Sequence, residues 1–134
     1  MTTDTFPVRA HAMRVATPVW VEAGDTLSFQ ASGTWVDAVV RCSADGYDGS
    51  VFYALGQVPR IPDGGRYFRL MGRVVPGGAQ PATDDIAATF PIGTASNRAC
   101  PEAGRLFVFV NDKAGFHWND RGAIVLTVAR TPAA

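Results

Sequence analysis

The lack of a helical repeat is the sequence feature that most restricts how this chain can fold. No stretch of eleven or more residues has apolar positions spaced by three and four between a helix cap and a terminating glycine. The apolar residues fall instead in short runs, and Gly, Pro, Asn and Asp fill the gaps between these runs. Such a pattern is typical of short β-strands joined by turns.

The residues 27–31, Leu-Ser-Phe-Gln-Ala, show the apolar and polar alternation of a half-buried strand most clearly. The preceding Val19–Val21 and the acidic, glycine-containing turn at 22–25 predict a hairpin. The remaining predicted strands are Val8–Val15, Ala38–Cys42, Val51–Leu55, Arg66–Val75, Ile86–Ile92, Arg105–Asn111 and Ala123–Arg130. About eight short strands with turns between them predict an all-β fold, a β-sandwich or jelly roll with negligible helix. Trp20 and Trp35 lie on strand-like segments and are expected in its core.

Length and charge narrow the class of protein further. A chain of 134 residues with 47% hydrophobic residues predicts a single domain over residues 1–134. Twelve basic and twelve acidic residues give zero net charge, so we expect no nucleic-acid partner. No apolar run reaches the roughly 18 to 20 residues that span a bilayer, so we expect no membrane insertion. No signal peptide is visible at the amino end, which predicts a soluble protein that is cytoplasmic or exported by a route without a signal.

The two cysteines and the absence of catalytic motifs bear on chemistry. Cys42 and Cys100 belong to no Cys/His ligand pattern, so a zinc site is not expected. The sequence leaves open whether they form a disulfide, because pairing depends on the distance between them. We find no nucleophile elbow, zinc-protease helix, phosphate-binding loop or dinucleotide fingerprint. We therefore expect a binding protein and no enzyme activity.

The segment "VNDKAGFHWNDRG", residues 110–122, is the most informative loop in the chain. It joins two strongly apolar runs and places three oxygen-bearing side chains, Asp112, Asn119 and Asp120, in one connection. Gly115 and Gly122 permit backbone turns that aim carbonyl oxygens inward. Oxygen ligands of mixed charge suit calcium, which accepts roughly six to eight of them. Asn and Asp are also common turn residues, so Asx turns in an ordinary loop are the alternative interpretation.

The sequence "AGRLFVFVNDKAGFHWNDRGAIVLTVAR" resembles the calcium-binding segment of the bacterial galactophilic lectins of the PA-IL type. In that family, Gly-x-Leu precedes an apolar strand ending in Asn-Asp, and the following loop ends in Asn-Asn-x-Gly. The segments "AGDTLSFQASGTW", "RLMGRV" and "FPIG" are similar to other strands of the family, so the resemblance covers most of residues 17–130. It implies a galactose-binding-domain-like β-sandwich and a calcium-dependent, galactose-binding lectin that acts as an oligomer.

The resemblance also implies which residues bind the ion and the sugar. Asp112, Asn119 and Asp120 correspond to side-chain ligands of Ca²⁺, and Phe116 and Asp37 correspond to residues that give backbone carbonyls. Two sugar hydroxyls complete the coordination in the family. The candidate sugar contacts are Asp112, Asn119, His117, Trp118, Tyr47 and Tyr53.

Two further questions stay open at the level of sequence. Trp118 either stacks on a sugar face, or blocks the site, or packs as a lid on the end of the sandwich. The competing functional class is an interaction module, in which calcium braces the loops and a protein partner binds Trp118 and its neighbours.

Overall fold

Two β-sheets packed face to face form the body of the protein. The computed structural model describes residues 1–113 and 115–134 of the chain. The strands are β1 (Thr2–Arg9), β2 (Val15–Val21), β3 (Thr26–Ser32), β4 (Trp35–Asp37), β5 (Val40–Cys42), β6 (Tyr47–Asp48), β7 (Arg66–Tyr67), β8 (Leu70–Val75), β9 (Phe90–Pro91), β10 (Ala95–Ala99), β11 (Gly104–Val110) and β12 (Asp120–Thr131). One helix, α1 (Ser50–Ala54), and 3-10 turns at Pro76–Gly78 and His117–Asn119 complete the described elements. The predicted all-β sandwich is confirmed.

The long strand β12 organises the first sheet. It pairs with β1 on one side and with β3 on the other, and its first three residues pair with β4. Strand β10 extends the sheet beyond β3, and β5 extends it beyond β4. The second sheet has the order β2-β11-β8-β9, and β6 and β7 form a separate small ribbon.

The core lies between the two sheets because alternate residues of their strands point inward. Ile124, Leu126 and Val128 of β12 are buried on one side. Leu106 and Val108 of β11 are buried on the other side, within the same hydrophobic cluster. Burial of each such side chain stabilises the fold by roughly 1.5 to 3 kcal/mol. Period-two alternation along the chain is therefore what holds the two sheets together.

Strand β11 is buried on both of its faces, which explains its uninterrupted apolar sequence. Phe107 and Phe109 point away from the sandwich core and are still only 2% and 4% exposed. Phe109 packs with Ile61 and Met71 in a second cluster beneath the segment that follows α1. The guanidinium of Arg60 lies 4.2 Å from the centre of the Phe109 ring. The long loop after α1 is thus a packed part of the fold.

The connections at both ends of the sandwich cross between sheets. The turn after β2 has the predicted position, with the Asp25 amide donating to the Glu22 carbonyl. The predicted hairpin is nevertheless wrong, because β2 and β3 belong to different sheets. The loop from β11 to β12 also crosses from the second sheet to the first. This loop is longer than an ordinary hairpin connection, in part because it crosses between the two sheets.

Several predicted strands are wrong in extent or kind. Residues 51–55 lie in or next to the helix α1, since a short apolar run does not distinguish a strand from a helix. Only Phe90–Pro91 of the segment 86–92 is a strand, because the Asp85 side chain accepts from the Ala87 and Ala88 amides and holds a turn there.

The other corrections concern breaks within predicted strands. A turn at residues 10–14 divides the segment 8–15 between β1 and β2. Ala38 and Phe68 have positive φ angles of 54° and 68°, so they interrupt the predicted strands at 38–42 and 66–75. These breaks depend on contacts that local alternation does not report.

The structure corrects the prediction for one tryptophan and answers the question of a disulfide between the two cysteines. Trp35 is fully buried as predicted, whereas Trp20 is 52% exposed on the outer face of β2, so its core assignment was wrong. Cys42 and Cys100 are both free thiols in the structure. Within the part of the chain that the structure describes, no helix has the length and apolar character needed to cross a membrane.

Candidate metal and ligand site

Three carboxylates meet at the end of the sandwich where β12 begins. Asp37 ends β4, Asp120 begins β12, and these two residues are direct partners in the strand pairing. Asp112 follows β11 and comes from the opposite sheet. One oxygen from each of the three residues lies within 4.8 Å of the other two. Sheet pairing and the crossing loop together bring these distant positions into one cluster.

Two carboxylates of the cluster are buried, and most of their oxygens have no hydrogen-bond partner among the described residues. Asp112 and Asp120 are 2% and 3% exposed. The unpartnered oxygens are Asp112 Oδ2, Asn119 Oδ1 and both oxygens of Asp120, as judged among the described residues. No ion pair found among residues 1–113 and 115–134 includes any of the three aspartates. Burying unpaired acceptors and charges in this way is costly for a folded protein.

The pKa values of these carboxyl groups are raised, as expected for buried carboxylates without a positive partner. Burial, together with the neighbouring Asp112 and Asp37, raises the pKa of Asp120 to about 9. Burial is also the main cause of the raised pKa of Asp112 and of Asp37. With no cation present, Asp120 holds a proton that a free carboxylate would release at neutral pH. A bound cation would remove this penalty.

The donor set fits calcium. All side-chain donors are oxygens, and a calcium ion binds oxygens at about 2.3 to 2.6 Å, so oxygens on opposite sides of it lie roughly 4.6 to 5.2 Å apart. One oxygen from each of the three carboxylates lies within 4.8 Å of the other two, so a single ion of this kind can contact all three. The orphaned Asn119 Oδ1 adds a fourth, neutral oxygen next to Asp120. Hard cations with flexible coordination prefer such a set.

The loop backbone supports this arrangement. Gly115 and Gly122 have φ angles of 85° and 84°, as the predicted inward turns require. The Lys113 amide donates to Asp112 Oδ1 at 2.7 Å, which leaves Oδ2 for a cation. The Ala38 amide donates to the Asn119 carbonyl, and the Asn119 amide donates to the Phe116 carbonyl. These contacts tie the loop between β11 and β12 to the turn after β4.

An open cavity of about 280 Å³ adjoins the carboxylate cluster. Asp37, Asp112 and Asn119 form its polar part. Its walls are mostly apolar or aromatic and comprise Ala38, Val39, Val40, Tyr47, Phe52, Tyr67 and Phe116, with Gln57 and Lys113 as the remaining lining residues. A pocket with apolar walls and a few convergent polar groups is the usual form of a small-molecule site.

The aromatic walls come from α1 and from the small ribbon. The rings of Tyr47 and Tyr67 lie 6.0 Å apart, and Phe52 lies 5.6 Å from Tyr67 and 6.3 Å from Tyr47. The Tyr47 hydroxyl donates to Asp37 Oδ2 at 2.5 Å. Lys113 contacts the Gln57 side-chain oxygen and the Phe116 ring at the cavity rim. The aromatic wall is thus linked directly to the carboxylate cluster.

The structure separates the predicted sugar contacts into two groups. Tyr47, Asp112 and Asn119 line the cavity, whereas His117, Trp118 and Tyr53 are not among its lining residues. The His117 ring is buried, and its Nε2 lies 3.3 Å from the Val110 carbonyl and 3.4 Å from an Arg60 nitrogen. Trp118 is 72% exposed, so the lid interpretation does not hold.

Tyr53 is turned toward its own loop. Its hydroxyl donates to the Arg66 carbonyl at 3.1 Å and accepts from the Asp63 amide at 3.2 Å. Both contacts close the segment that follows α1. Tyr53 therefore supports that segment and does not line the cavity, so its contact with a sugar stays a prediction without support from the cavity geometry.

The first Asn-Asp pair has two different roles. The Asn111 side chain is fully buried, accepts from the Ile61 amide at 3.0 Å and donates to the Ile61 carbonyl at 2.7 Å. The Arg60 amide donates to the Asp112 carbonyl at 2.9 Å. Asn111 thus fixes the long loop beside the site, while Asp112 presents an unpartnered oxygen to it.

Sequence reasoning missed part of the site. It assigned Asp37 only a backbone carbonyl, whereas its side chain belongs to the cluster. It did not include Phe52, Gln57, Tyr67 or Lys113. Lys113 follows Asp112 directly, so its position in the loop was available as a signal. The other three come from segments whose approach depends on the tertiary fold.

Comparisons with known proteins give a match in structure. No family model matches the sequence, and no curated protein matches it either. Eight chains of solved structures match the fold. One is described as "EclA N-terminal domain; PllA-like lectin" and superposes with a TM-score of 0.63 at 19% sequence identity, over 95% of each chain. At this identity the likeness establishes that the chain has the fold of a lectin domain.

Proposed function

We propose that this protein is a calcium-dependent carbohydrate-binding protein. The observation that carries the proposal is the cluster of Asp37, Asp112 and Asp120 beside an open cavity, where four buried oxygens of Asp112, Asn119 and Asp120 have no partner among the described residues. Similarity in fold to a PllA-like lectin supports carbohydrate as the ligand class. The chain offers binding groups at this site and no nucleophile paired with a base, so we propose binding without catalysis.

In this proposal, Asp112, Asn119 and Asp120 bind Ca²⁺ through side chains, and Phe116 and Asp37 contribute carbonyls. The ion supplies two positions for neighbouring hydroxyls of a sugar. The unpartnered state of Asp112 Oδ2, Asn119 Oδ1 and the Asp120 oxygens supports the side-chain assignments. A cation there neutralises carboxylates whose burial is otherwise unfavourable.

The cavity walls would receive the body of the sugar. Pyranose rings combine hydroxyl edges with apolar C–H faces, so a polar cluster beside aromatic walls suits them. Tyr47 and Phe52 form one such wall, and Phe116 forms another. His117 is excluded from contact with the sugar by its burial.

Galactose or a related monosaccharide is the sugar we propose, on the resemblance of the loop 110–122 to the PA-IL-type lectins. The residues 43–65 do not match the specificity loop of that family. We therefore expect weak binding, with a Kd on the order of 1 mM, or about −4 kcal/mol.

A glycan array with calcium and with chelator tests the proposal, followed by titration calorimetry on each hit. Asp120→Ala is the site variant because it removes the side-chain oxygens, and Asp25→Ala is the matched control because Asp25 is an equally buried aspartate beside the other end of β12. We expect calcium-dependent saccharide binding in the wild type and in the control, and none in Asp120→Ala.

Two results would contradict the proposal. Saccharide binding that persists in chelator would remove the ion from the mechanism. Absence of saccharide binding in calcium-saturated protein would favour an interaction module that binds a protein partner through exposed side chains such as Trp118. Soluble sugars would then fail to compete with that partner.

A further inference from the structure

The Asp37 side chain lies where the carboxylate cluster meets the cavity. Its carboxylate belongs to the cluster, and the same residue lines the cavity, whereas Asp120 does not. Asp37 is only half-buried, in contrast to the nearly complete burial of Asp112 and Asp120. It therefore approaches the cation position from the side at which a ligand must arrive.

The Asp37 carboxylate accepts from a neutral donor and forms no ion pair among the described residues. Its Oδ2 accepts from the Tyr47 hydroxyl, a neutral donor, at 2.5 Å. Among the described residues no arginine, lysine or histidine forms an ion pair with it. With Oδ2 occupied by Tyr47, the other oxygen is available to a cation. Asp37 can thus act as a single-oxygen ligand held by one hydrogen bond.

A count of oxygens shows why this ligand matters for the sugar. Side-chain oxygens of Asp37, Asp112, Asn119 and Asp120, together with the proposed Phe116 and Asp37 carbonyls, give the ion at least six oxygens. Calcium accepts roughly six to eight, so two sugar hydroxyls bring the shell to its upper limit. Without the Asp37 carboxylate, five protein oxygens and two sugar hydroxyls give seven, so the hydroxyls no longer fill the last position that calcium accepts.

We propose that the Asp37 carboxylate is a displaceable calcium ligand that competes with saccharide hydroxyls for the cavity side of the ion. It strengthens cation binding and weakens saccharide binding, so one residue sets the balance between the two affinities. The proposal rests on the proposed calcium-bridged carbohydrate site. It assigns to the Asp37 side chain a role in ligand specificity in addition to its backbone carbonyl.

The variant Asp37→Ala tests this role because it keeps the backbone carbonyl and removes the carboxylate. Loss of a group that only supports a metal ligand weakens metal binding by roughly 10- to 100-fold, and we expect at least that loss in calcium affinity. At saturating calcium we expect saccharide binding to tighten by roughly two- to tenfold, the range that one hydrogen-bond-sized interaction controls. Titration calorimetry with calcium alone, and then with methyl galactoside at saturating calcium, measures both.

Two further variants serve as a substitute for Asp37→Ala and as a control for the change in charge. Asp37→Asn keeps the side-chain shape and replaces the carboxylate by a weaker, neutral oxygen ligand, so it should show the same two directions to a smaller extent if the alanine variant does not fold. Glu22→Gln also removes one negative charge, from an exposed residue at the opposite end of the sandwich, and should leave both affinities at the wild-type value.

Each outcome is decisive. Weaker calcium binding with tighter saccharide binding supports the proposal. Saccharide binding that weakens or stays unchanged at saturating calcium overturns it while leaving the carbohydrate function intact, and unchanged calcium affinity overturns it as well. If neither the wild type nor the variants bind saccharide, both the proposed function and this inference fail.

Discussion

A buried aspartate lies at each end of β12: Asp120 begins the strand, and Asp25, in the turn before β3, binds Arg130 near the end of the strand. The surroundings of the two carboxylates differ. Asp25, 2% exposed, accepts from the Glu22 amide and from Arg130, both at 2.8 Å. These contacts lower its pKa, the Glu22 amide most strongly and Arg130 next. Asp120, 3% exposed, has no partner for either oxygen within the described part of the chain, and its pKa rises to about 9.

This comparison shows how a carboxylate with a structural role differs from a candidate cation ligand. Burial is the same at the two ends, so burial alone does not identify a site. The distinguishing feature is the lack of a donor or a positive charge beside the carboxylate. Asp25 completes the turn between β2 and β3. Both oxygens of Asp120 lack a hydrogen-bond donor among the described residues, and a cation would supply the missing interaction.

The largest expected effect is a pH dependence that differs between the two ends. In chelator, Asp120 has a folded pKa above its unfolded value, so its contribution to stability is present below about pH 4 and is lost as the pH rises toward about 9. The slope where one proton differs is about 1.4 kcal/mol per pH unit. We expect melting in chelator to show stability falling from pH 5 to pH 8, and Asp120→Asn to flatten this fall.

Asp25 has the opposite sign. Its folded pKa is lowered, so its contribution is present above the unfolded value and is lost as the pH falls through the folded pKa. Asp25→Asn should therefore change the acid limb below about pH 4 and leave the slope between pH 5 and 8 as in the wild type. An unchanged slope in Asp120→Asn would show that Asp120 does not cause the loss of stability between pH 5 and 8.

The next effect is stabilisation by calcium. An ion that binds only the folded state at about 100 times its Kd adds roughly 2.7 kcal/mol to the free energy of unfolding. We expect this shift in the wild type and in Asp25→Asn, and its loss in Asp112→Ala and Asp120→Ala, which remove the side-chain oxygens. Thermal melting in calcium against chelator measures it, and an equal shift in all four proteins would refute the assignment of the cation to this end.

Neutral substitutions in chelator should then move stability in opposite directions. Replacing a buried and uncompensated acid by a neutral group commonly stabilises, so Asp120→Asn should gain about 1 to 3 kcal/mol near pH 8. Asp25→Asn should destabilise, because Arg130 loses its charged partner. Urea denaturation of the chelated proteins checks the two signs. A loss of stability in both variants would mean that Asp120 has a structural partner in solution.

Asn111 and Asn119 provide a second comparison, between a paired and an unpaired amide beside the carboxylate cluster. The Asn111 amide is fully paired with Ile61, so Asn111→Ala should cost about 1 to 3 kcal/mol by leaving buried backbone groups without partners. Denaturation measures that loss, and amide hydrogen exchange at Ile61 should become faster. Asn119→Ala is the contrast, since its unpartnered side-chain oxygen predicts a loss of calcium affinity with little loss of stability in chelator.

The smallest effect is expected at Trp118. The indole is 72% exposed and outside the cavity lining, so Trp118→Ala should change stability by no more than about 0.5 kcal/mol. Calorimetry should give an unchanged saccharide Kd. A clear loss of saccharide binding in Trp118→Ala would extend the ligand site beyond the cavity.

Local sequence patterns determined the fold class and the loop that carries most of the proposed ligands. Alternation along residues 27–31 and the apolar runs on either side of the loop 110–122 reflect which side chains face the core, and that relation acts over a few residues. The positions of Asp112, Asn119 and Asp120 could be read for the same reason, because they share one loop.

Tertiary structure decided what depends on segments far apart in the chain. The pairing of Asp37 with Asp120 puts a third carboxylate into the cluster, and no local pattern encodes which strand lies beside β12. His117 lies buried beside the Val110 carbonyl and Arg60, although the resemblance implied that it contacts a sugar. Trp20 lies on the outer face although its run is apolar on both sides. Alternation specifies that a strand has two faces, and only the packing of the sheets, together with loops brought from a distance, determines what each face meets.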